Sequence, residues 1–282
     1  MMKRLEGKNI ALFGSTGGIG KELCRYILEL GGNLILVNRS REKTVQLEQE
    51  LKEAFPKAQI DWIIADLEER ESVIKACDEL QRLETDILIH NAGAYSIPRK
   101  TCSTGYDNVF QINFVSPYYI TNQLMPYLEE KKGRVVVVGS IAHNYSKTDE
   151  ADIDFATRKK ASLVYGNAKR YLMFSMLELS KAHPDVKFAI THPGITFTNI
   201  TNHYPKFLFM IIKHPMKWIF MKPRKAALSI LQGLFEETEC YEWIGPRLFN
   251  VWGKPSKKRL RTCEKEEIEK IEQNARKILA RI

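Results

Sequence analysis

Two tyrosine and lysine pairs in this 282-residue chain have the types and spacing to move a proton. Tyr165 and Lys169 are four residues apart, and so are Tyr127 and Lys131, so on a helix each pair shares one face. A free phenol, with a pKa of about 10, holds its proton too tightly to shuttle it at neutral pH. A neighbouring ammonium favours the phenolate and is expected to lower that value. Spacing does not choose between the pairs, but position does. Tyr165 follows Ser140 at the carboxyl end of a β-rich run, where open α/β sheets bind ligands, whereas Tyr127 falls in a helix end before that run and reads as a surface or packing residue.

A second constellation can hold phosphate. Gly14-Ser15-Thr16-Gly17-Gly18-Ile19-Gly20 joins an apolar run to a helical pattern. Glycines there let the backbone turn sharply and approach a pyrophosphate, held by the free amides and positive dipole of the helix start. Glycine-rich turns also occur as plain loops, and the position between strand and helix is what distinguishes this one. At the end of the next β-rich run stands Asn38-Arg39-Ser40-Arg41, with no carboxylate in that stretch to bind both ribose hydroxyls. Arg39 offers a planar cationic fork suited to a 2′-phosphate, so NADP(H) is expected over NAD(H).

The elements that must position these groups are legible in the periodicity. Ile10–Phe13, Leu34–Val37, Ile60–Ile64, Ile87–Ile89, Val135–Val138 and Phe188–Thr191 are short runs, apolar throughout, as strands covered on both faces are. Helical patterns fill Lys21–Leu30, Glu42–Ala54, Glu69–Leu83, Tyr106–Glu129, Ser162–Lys181 and Glu264–Ala280. The alternation predicts an α/β fold with a doubly wound parallel sheet flanked by helices. Glu242-Trp243-Ile244-Gly245 reads as a last strand, and Ile268, Ile271, Ile278 and Leu279 as the buried stripe of a terminal helix.

Composition narrows the function classes. With 44% hydrophobic and 27% charged residues the chain is of ordinary globular make-up. The net charge of +9 is unevenly placed. Residues 1–185 balance to zero, so the excess lies in residues 186–282, and the first two-thirds carries no footprint for a nucleic acid. No nucleic-acid partner is expected, and the basic run from Lys254 to Arg261 reads as a solvated face. Five scattered cysteines and six scattered histidines show neither metal-ligand nor disulfide spacing, so no metal site and a cytoplasmic setting are expected. The apolar run near Met1 is too short for a signal peptide or a membrane span, and the mature chain is expected to start there. His143 and His192 follow strand ends and fall near the cleft without an assigned role in catalysis.

In order along residues 8–200, these motifs resemble those of the short-chain dehydrogenase/reductase family. Gly14-x-x-x-Gly18-Ile19-Gly20 is similar to its glycine motif, and Asp66-Leu67 after the third strand resembles its adenine-contacting Asp. His90-Asn91-Ala92-Gly93 is similar to its Asn-Asn-Ala-Gly turn, with Phe13 and His90 as departures. Asn113, Ser140, Tyr165 and Lys169 match its catalytic positions, and Pro193-Gly194 with Thr198 its nicotinamide-facing turn. Asp152-Ile153-Asp154-Phe155 resembles an insertion of the retinol-dehydrogenase-like branch, which acts on apolar alcohols, aldehydes and ketones. The resemblance implies one Rossmann-type domain over residues 1–282, with a cofactor and catalytic core at 8–200, a substrate lid at 201–225 and a C-terminal elaboration at 226–282. It further implies that Tyr165 is the general acid/base, that Ser140 bonds the substrate oxygen, that Lys169 also bonds the nicotinamide ribose, and that Asn113 anchors a relay water.

The expected activity is therefore an NADP(H)-dependent interconversion of a hydroxyl and a carbonyl on a hydrophobic small molecule such as a steroid, a retinoid or another lipophilic alcohol or ketone. Two alternatives are the same fold acting on a small polar carbonyl and a non-catalytic, membrane-docked dinucleotide-binding protein. The apolar stretch from Phe207 to Met221, punctuated by lysines, reads first as the lid and second as a peripheral membrane contact, and a homodimer is left open.

Overall fold

The strands form because their residues are apolar on both sides of the pleat. In β1 (Asn9–Phe13), Ala11 and Phe13 enter one core layer while Ile10 and Leu12 enter the other, and in β2 (Asn33–Asn38) Ile35 and Val37 part from Leu34 and Leu36 in the same way. A computed structural model describes residues 5–195, 221–239, 241–260 and 264–282. Its strands β1, β2, β3 (Ile60–Ile64), β4 (Ile87–His90), β5 (Arg134–Val138), β6 (Lys187–Thr191), β7 (Glu242–Leu248) and β8 (Trp252–Arg259) make one sheet in the order β3-β2-β1-β4-β5-β6-β7-β8. All neighbours run parallel except β7 and β8.

Helices cover both faces. Helices α1 (Gly18–Glu29) and α2 (Arg41–Ala54) lie on the Ile10 side, and α3 (Arg70–Arg82) lies on the Phe13 side. After β4 come α4 (Asn108–Phe110), a π turn (Gln111–Val115) and α5 (Ser116–Lys131), where the pattern from Tyr106 predicts one unbroken helix. A 3-10 turn (Ile141–Asn144) precedes α6 (Ala161–Ala182). Helix α7 (Pro223–Gly233) packs on α1, so the expected lid boundary at residue 225 falls inside a helix of the sheet's other face. The terminal helix α8 (Lys265–Leu279) buries Ile268, Ile271, Ala275 and Ile278 against α6, and Leu279 is half-buried.

Strand β8 is a difference from the sequence reading, which treats its lysines as a solvated run. It has little apolar character because it is the antiparallel edge, where lysines and Pro255 guard unpaired backbone. The strand order reverses between β1 and β4, which opens a crevice at the carboxyl ends of the parallel strands.

Candidate active site

The glycine turn lies on one wall of that crevice. Gly14 has φ +76°, a left-handed conformation that favours glycine, and a Cβ on it would stand 2.8 Å from Ala92 Cα. A Cβ on Gly20 would meet Gly14 O at 2.3 Å, so the helix start can approach the turn this closely only as glycine. Helix α1 has no side-chain cap and no acidic residue in its first turn, which leaves its leading amides for an anion. These residues wall a cavity of about 400 Å³ together with Thr16, Gly18, Ile19, Asn38, Arg39, Asp66, Leu67, Asn91, Ala92 and Gly93.

Several of these side chains hold the walls together. Asn38 donates to Ser15 Oγ at 2.7 Å and accepts from the Thr16 amide at 3.3 Å, so it pins the glycine turn. Ser15 is fully buried, does not line the cavity and supports the turn through its bond from Asn38. Asn91 donates to Phe13 O and Gly14 O at 3.2 and 3.1 Å, joining β4 to the same turn. Asp66 Oδ1 accepts from the Glu68 amide at 3.0 Å.

The two departures from the family pattern are one feature. Phe13 and His90 are register partners across β1 and β4, and their rings stack at 5.1 Å. His90 shares a hydrogen bond with Thr121 Oγ1 at 2.9 Å, and burial lowers its pKa to about 3, so it is a neutral packing group.

Arg39 is exposed at the cavity wall, with its guanidinium 3.9 Å from Glu68. The sequence reading finds no carboxylate in the Asn38–Arg41 stretch, and Glu68 arrives from the turn after β3. It is buried and also paired to Lys100. Its neighbour Asp66-Leu67 was the only signal that could have drawn attention to it.

Ser140, Tyr165 and Lys169 meet beyond the carboxyl end of β5. Ser140 begins the 3-10 turn, accepts from the Ala142 amide at 3.2 Å, and is hydrogen-bonded to the Tyr165 side chain. Gly166 allows this approach, since a Cβ there would stand 2.3 Å from Ala142 O. Lys169 is buried and donates to Val138 O at 2.8 Å, with Nζ 5.7 Å from the centre of the Tyr165 ring. Asn113 lies in the π turn, a local form that recurs at functional sites. Its amide group donates to Ala94 O and Val109 O at 2.7 and 2.8 Å, and its buried Oδ1 has no partner among the described residues. Gly93 separates that oxygen from Lys169: a Cβ on it would lie 2.8 Å from Asn113 Oδ1 and 3.7 Å from Lys169 Nζ.

One electrostatic expectation is corrected. Burial pushes the Tyr165 phenol up to about 12, the Ser140 bond works against this, and Tyr95, whose ring meets it edge-on at 5.3 Å, adds to it. Lys169 does not lower the phenol because its own burial brings the ammonium down to about 7. The pair Tyr127 and Lys131 has the same ring-to-Nζ distance, 5.7 Å, yet Lys131 pairs with Glu84, whereas Tyr165 and Lys169 adjoin Tyr95 and Gly93 of the cavity lining.

Pro193 and Gly194 form a turn after β6, with Gly194 at φ +83° against Val251 O. Thr198 and the stretch from Phe207 to residue 220 lie outside the described residues. His143 and His192 sit behind Ser140, where burial lowers each to about 4. His143 Nδ1 is bonded to Ser140 O, and His192 is stacked on Trp243.

The model of the short chain dehydrogenase family matches residues 8–206. This chain belongs to that family. As a short-chain dehydrogenase it is 28% identical to the chloroplastic short-chain dehydrogenase TIC 32 A of Brassica napus, over 86% of this chain and 77% of that one. It is also 28% identical to retinol dehydrogenase 14 of Mus musculus, over 77% of this chain and 70% of the relative. Among solved structures, an uncharacterized protein from Mycobacterium Paratuberculosis superposes with a TM-score of 0.77 at 18% identity, covering 99% of this chain and 96% of that one. A short-chain dehydrogenase from Sphingobium yanoikuyae in complex with NADPH gives 0.63 at 19% identity, covering 80% and 84%. At those identities they show the fold, a Rossmann-type doubly wound sheet, and the family makes this dehydrogenase an oxidoreductase.

Proposed function

We propose that this dehydrogenase uses NADP(H) to interconvert a hydroxyl and a carbonyl on a lipophilic substrate, with Tyr165 as the general acid/base. The observation that carries the reading is the convergence of Ser140, Tyr165 and Lys169 beside Gly93 and Tyr95, which line the glycine-walled cavity. A dinucleotide fits the residues present. A Cβ on Gly14 or Gly20 would fill the glycine cradle, the leading α1 amides have no side-chain cap and are placed to meet an anion, and Asn113 Oδ1 is a buried acceptor lacking a donor among the described residues.

Arg39 would bind a 2′-phosphate, Asp66 and Leu67 would flank the adenine, and Lys169 would reach the ribose by exchanging its bond to Val138 O. When bound, the dinucleotide supplies or receives the hydride. Ser140 would hold the substrate oxygen in place, and Tyr165 Oη would deliver a proton to that oxygen in reduction or take it in oxidation. Tyr95 meets the phenol ring edge-on and so helps fix its orientation. Retinol dehydrogenases among the relatives, together with the apolar stretch from Phe207 to Met221, support a lipophilic substrate.

A panel of steroids, retinoids, aliphatic ketones and small polar carbonyls, read by loss of NADPH absorbance, tests the substrate class. Turnover confined to small polar carbonyls contradicts it. For the cofactor, Arg39→Asp is expected to raise the KM for NADPH about tenfold or more while leaving NADH little changed. An unaltered NADPH to NADH ratio contradicts the assignment.

A further inference from the structure

The tip of the β7–β8 hairpin has a composition that folding does not explain. Leu248 pairs with Trp252, and the turn between them is closed by the Val251 amide donating to Leu248 O at 2.9 Å. Phe249 and Asn250 have φ of +50° and +58°, both left-handed. Two consecutive positive φ values favour Asn, Asp or Gly, and a phenylalanine there is sterically disfavoured. Phe249 is also 86% exposed and Leu248 54% exposed, so neither contributes to the core.

Cations frame this apolar tip. Residues 241–260 carry Arg247, Lys254, Lys257, Lys258 and Arg259 against a single carboxylate, Glu242. Arg247 and Lys254 flank the tip and are exposed. Lys258 donates to Pro246 O and to Asn250 Oδ1, and Asn250 O is bonded to His192 Nε2 at 3.0 Å, so the tip is held firmly on the sheet. Val251 O packs against Gly194, which sets the tip beside the segment that follows β6, at the carboxyl-end edge of the sheet.

We propose that this hairpin tip docks the protein on an anionic lipid bilayer, with Leu248 and Phe249 entering the headgroup boundary and Arg247 and Lys254 meeting the acidic headgroups. Apolar side chains ringed by cations match the two attractions such a surface offers. A second copy of the chain would bring the same cations face to face, so charge complementarity selects the lipid. The docking would turn the carboxyl-end edge of the sheet toward the bilayer, and it stands whether or not the substrate itself is lipophilic.

The test is co-flotation of the full chain with vesicles of phosphatidylcholine alone and of phosphatidylcholine with phosphatidylglycerol. Binding is expected only with phosphatidylglycerol and is expected to weaken with added salt. Phe249→Asn places in the turn a residue suited to its φ, so this variant is expected to be at least as heat-stable as the parent while its vesicle partitioning falls about tenfold or more. Arg247→Glu with Lys254→Glu is expected to abolish binding to the acidic vesicles. Undiminished binding by a folded Phe249→Asn variant overturns the proposal, even if Phe207 to Met221 then accounts for that binding. Absence of binding by the parent overturns it too, as does self-association that Phe249→Asn removes.

Discussion

Lys169 is an ammonium held away from water by one carbonyl, Val138 O, and an aromatic face. Burial lowers its pKa to about 7. A lysine in the unfolded chain titrates at about 10.4, so between these values the unfolded state binds a proton that the folded state does not. The destabilisation is therefore fully present below about pH 7 and is relieved as pH rises toward about 10. Thermal melting across this window is expected to show Lys169→Met with a flatter rise of stability with pH than the parent, and parallel curves contradict it. Sequence spacing reveals that Tyr165 and Lys169 share a helix face, but it says the same of Tyr127 and Lys131, which have the same ring-to-Nζ distance. What spacing cannot show is desolvation, which comes from strands and loops distant in the chain and reverses the expected direction of the phenol's shift.

Helix α6 delivers Tyr165 to Ser140 by lying against the 3-10 turn, and Gly166 is the point of closest approach. Gly166→Ala drives a methyl into Ala142 O and is expected to cost about 1–3 kcal/mol of stability, as overpacking does. It should also lower kcat more than it changes dinucleotide affinity, because the glycine turn lies on other elements. Equal stability and turnover in denaturation and kinetic assays contradict this. The insertion Asp152 to Phe155 acts at the same scale. Asn167 of α6 donates to Ile153 O at 2.7 Å, Asp154 accepts the Asp107 amide at 2.7 Å, and Arg99 bonds Phe155 O, tying the loop over the cavity to the catalytic helix. The parallel strands were legible because both faces of runs such as Ile10–Phe13 are buried, which leaves no polar position to blur them. The edge strand β8, rich in lysine, and the π turn around Asn113 were not, since one has an open edge and the other depends on Asn113 bonding to Ala94 O, far from it in sequence.

Across the whole molecule the C-terminal helix closes on α6, the helix bearing Tyr165, through a buried ion pair. Arg170 donates to Glu267 at 2.8 and 2.5 Å and to His143 O at 2.8 Å, while His143 is bonded in turn to Ser140 O. Glu267 lies outside the apolar stripe read for the terminal helix, yet it is buried, and only the three-dimensional path of α8 reveals its partner. Removing one member of such a pair leaves a buried charge, so Glu267→Ala is expected to cost about 3–5 kcal/mol in denaturant unfolding, with Glu267→Gln costing less. An unchanged midpoint contradicts the clamp. No helix among the described residues is long and apolar enough to cross a membrane, and the basic excess of the last third lies partly on the β8 edge. In the proposed reading these parts converge on the Tyr165 phenol, which adjoins Tyr95 of the glycine-walled cavity. The most direct test is single-turnover hydride transfer by Tyr165→Phe, measured beside NADPH binding by fluorescence. A rate loss of about 10²- to 10⁴-fold with NADPH affinity retained is the expected result, and transfer at the parent rate would contradict the assignment of Tyr165.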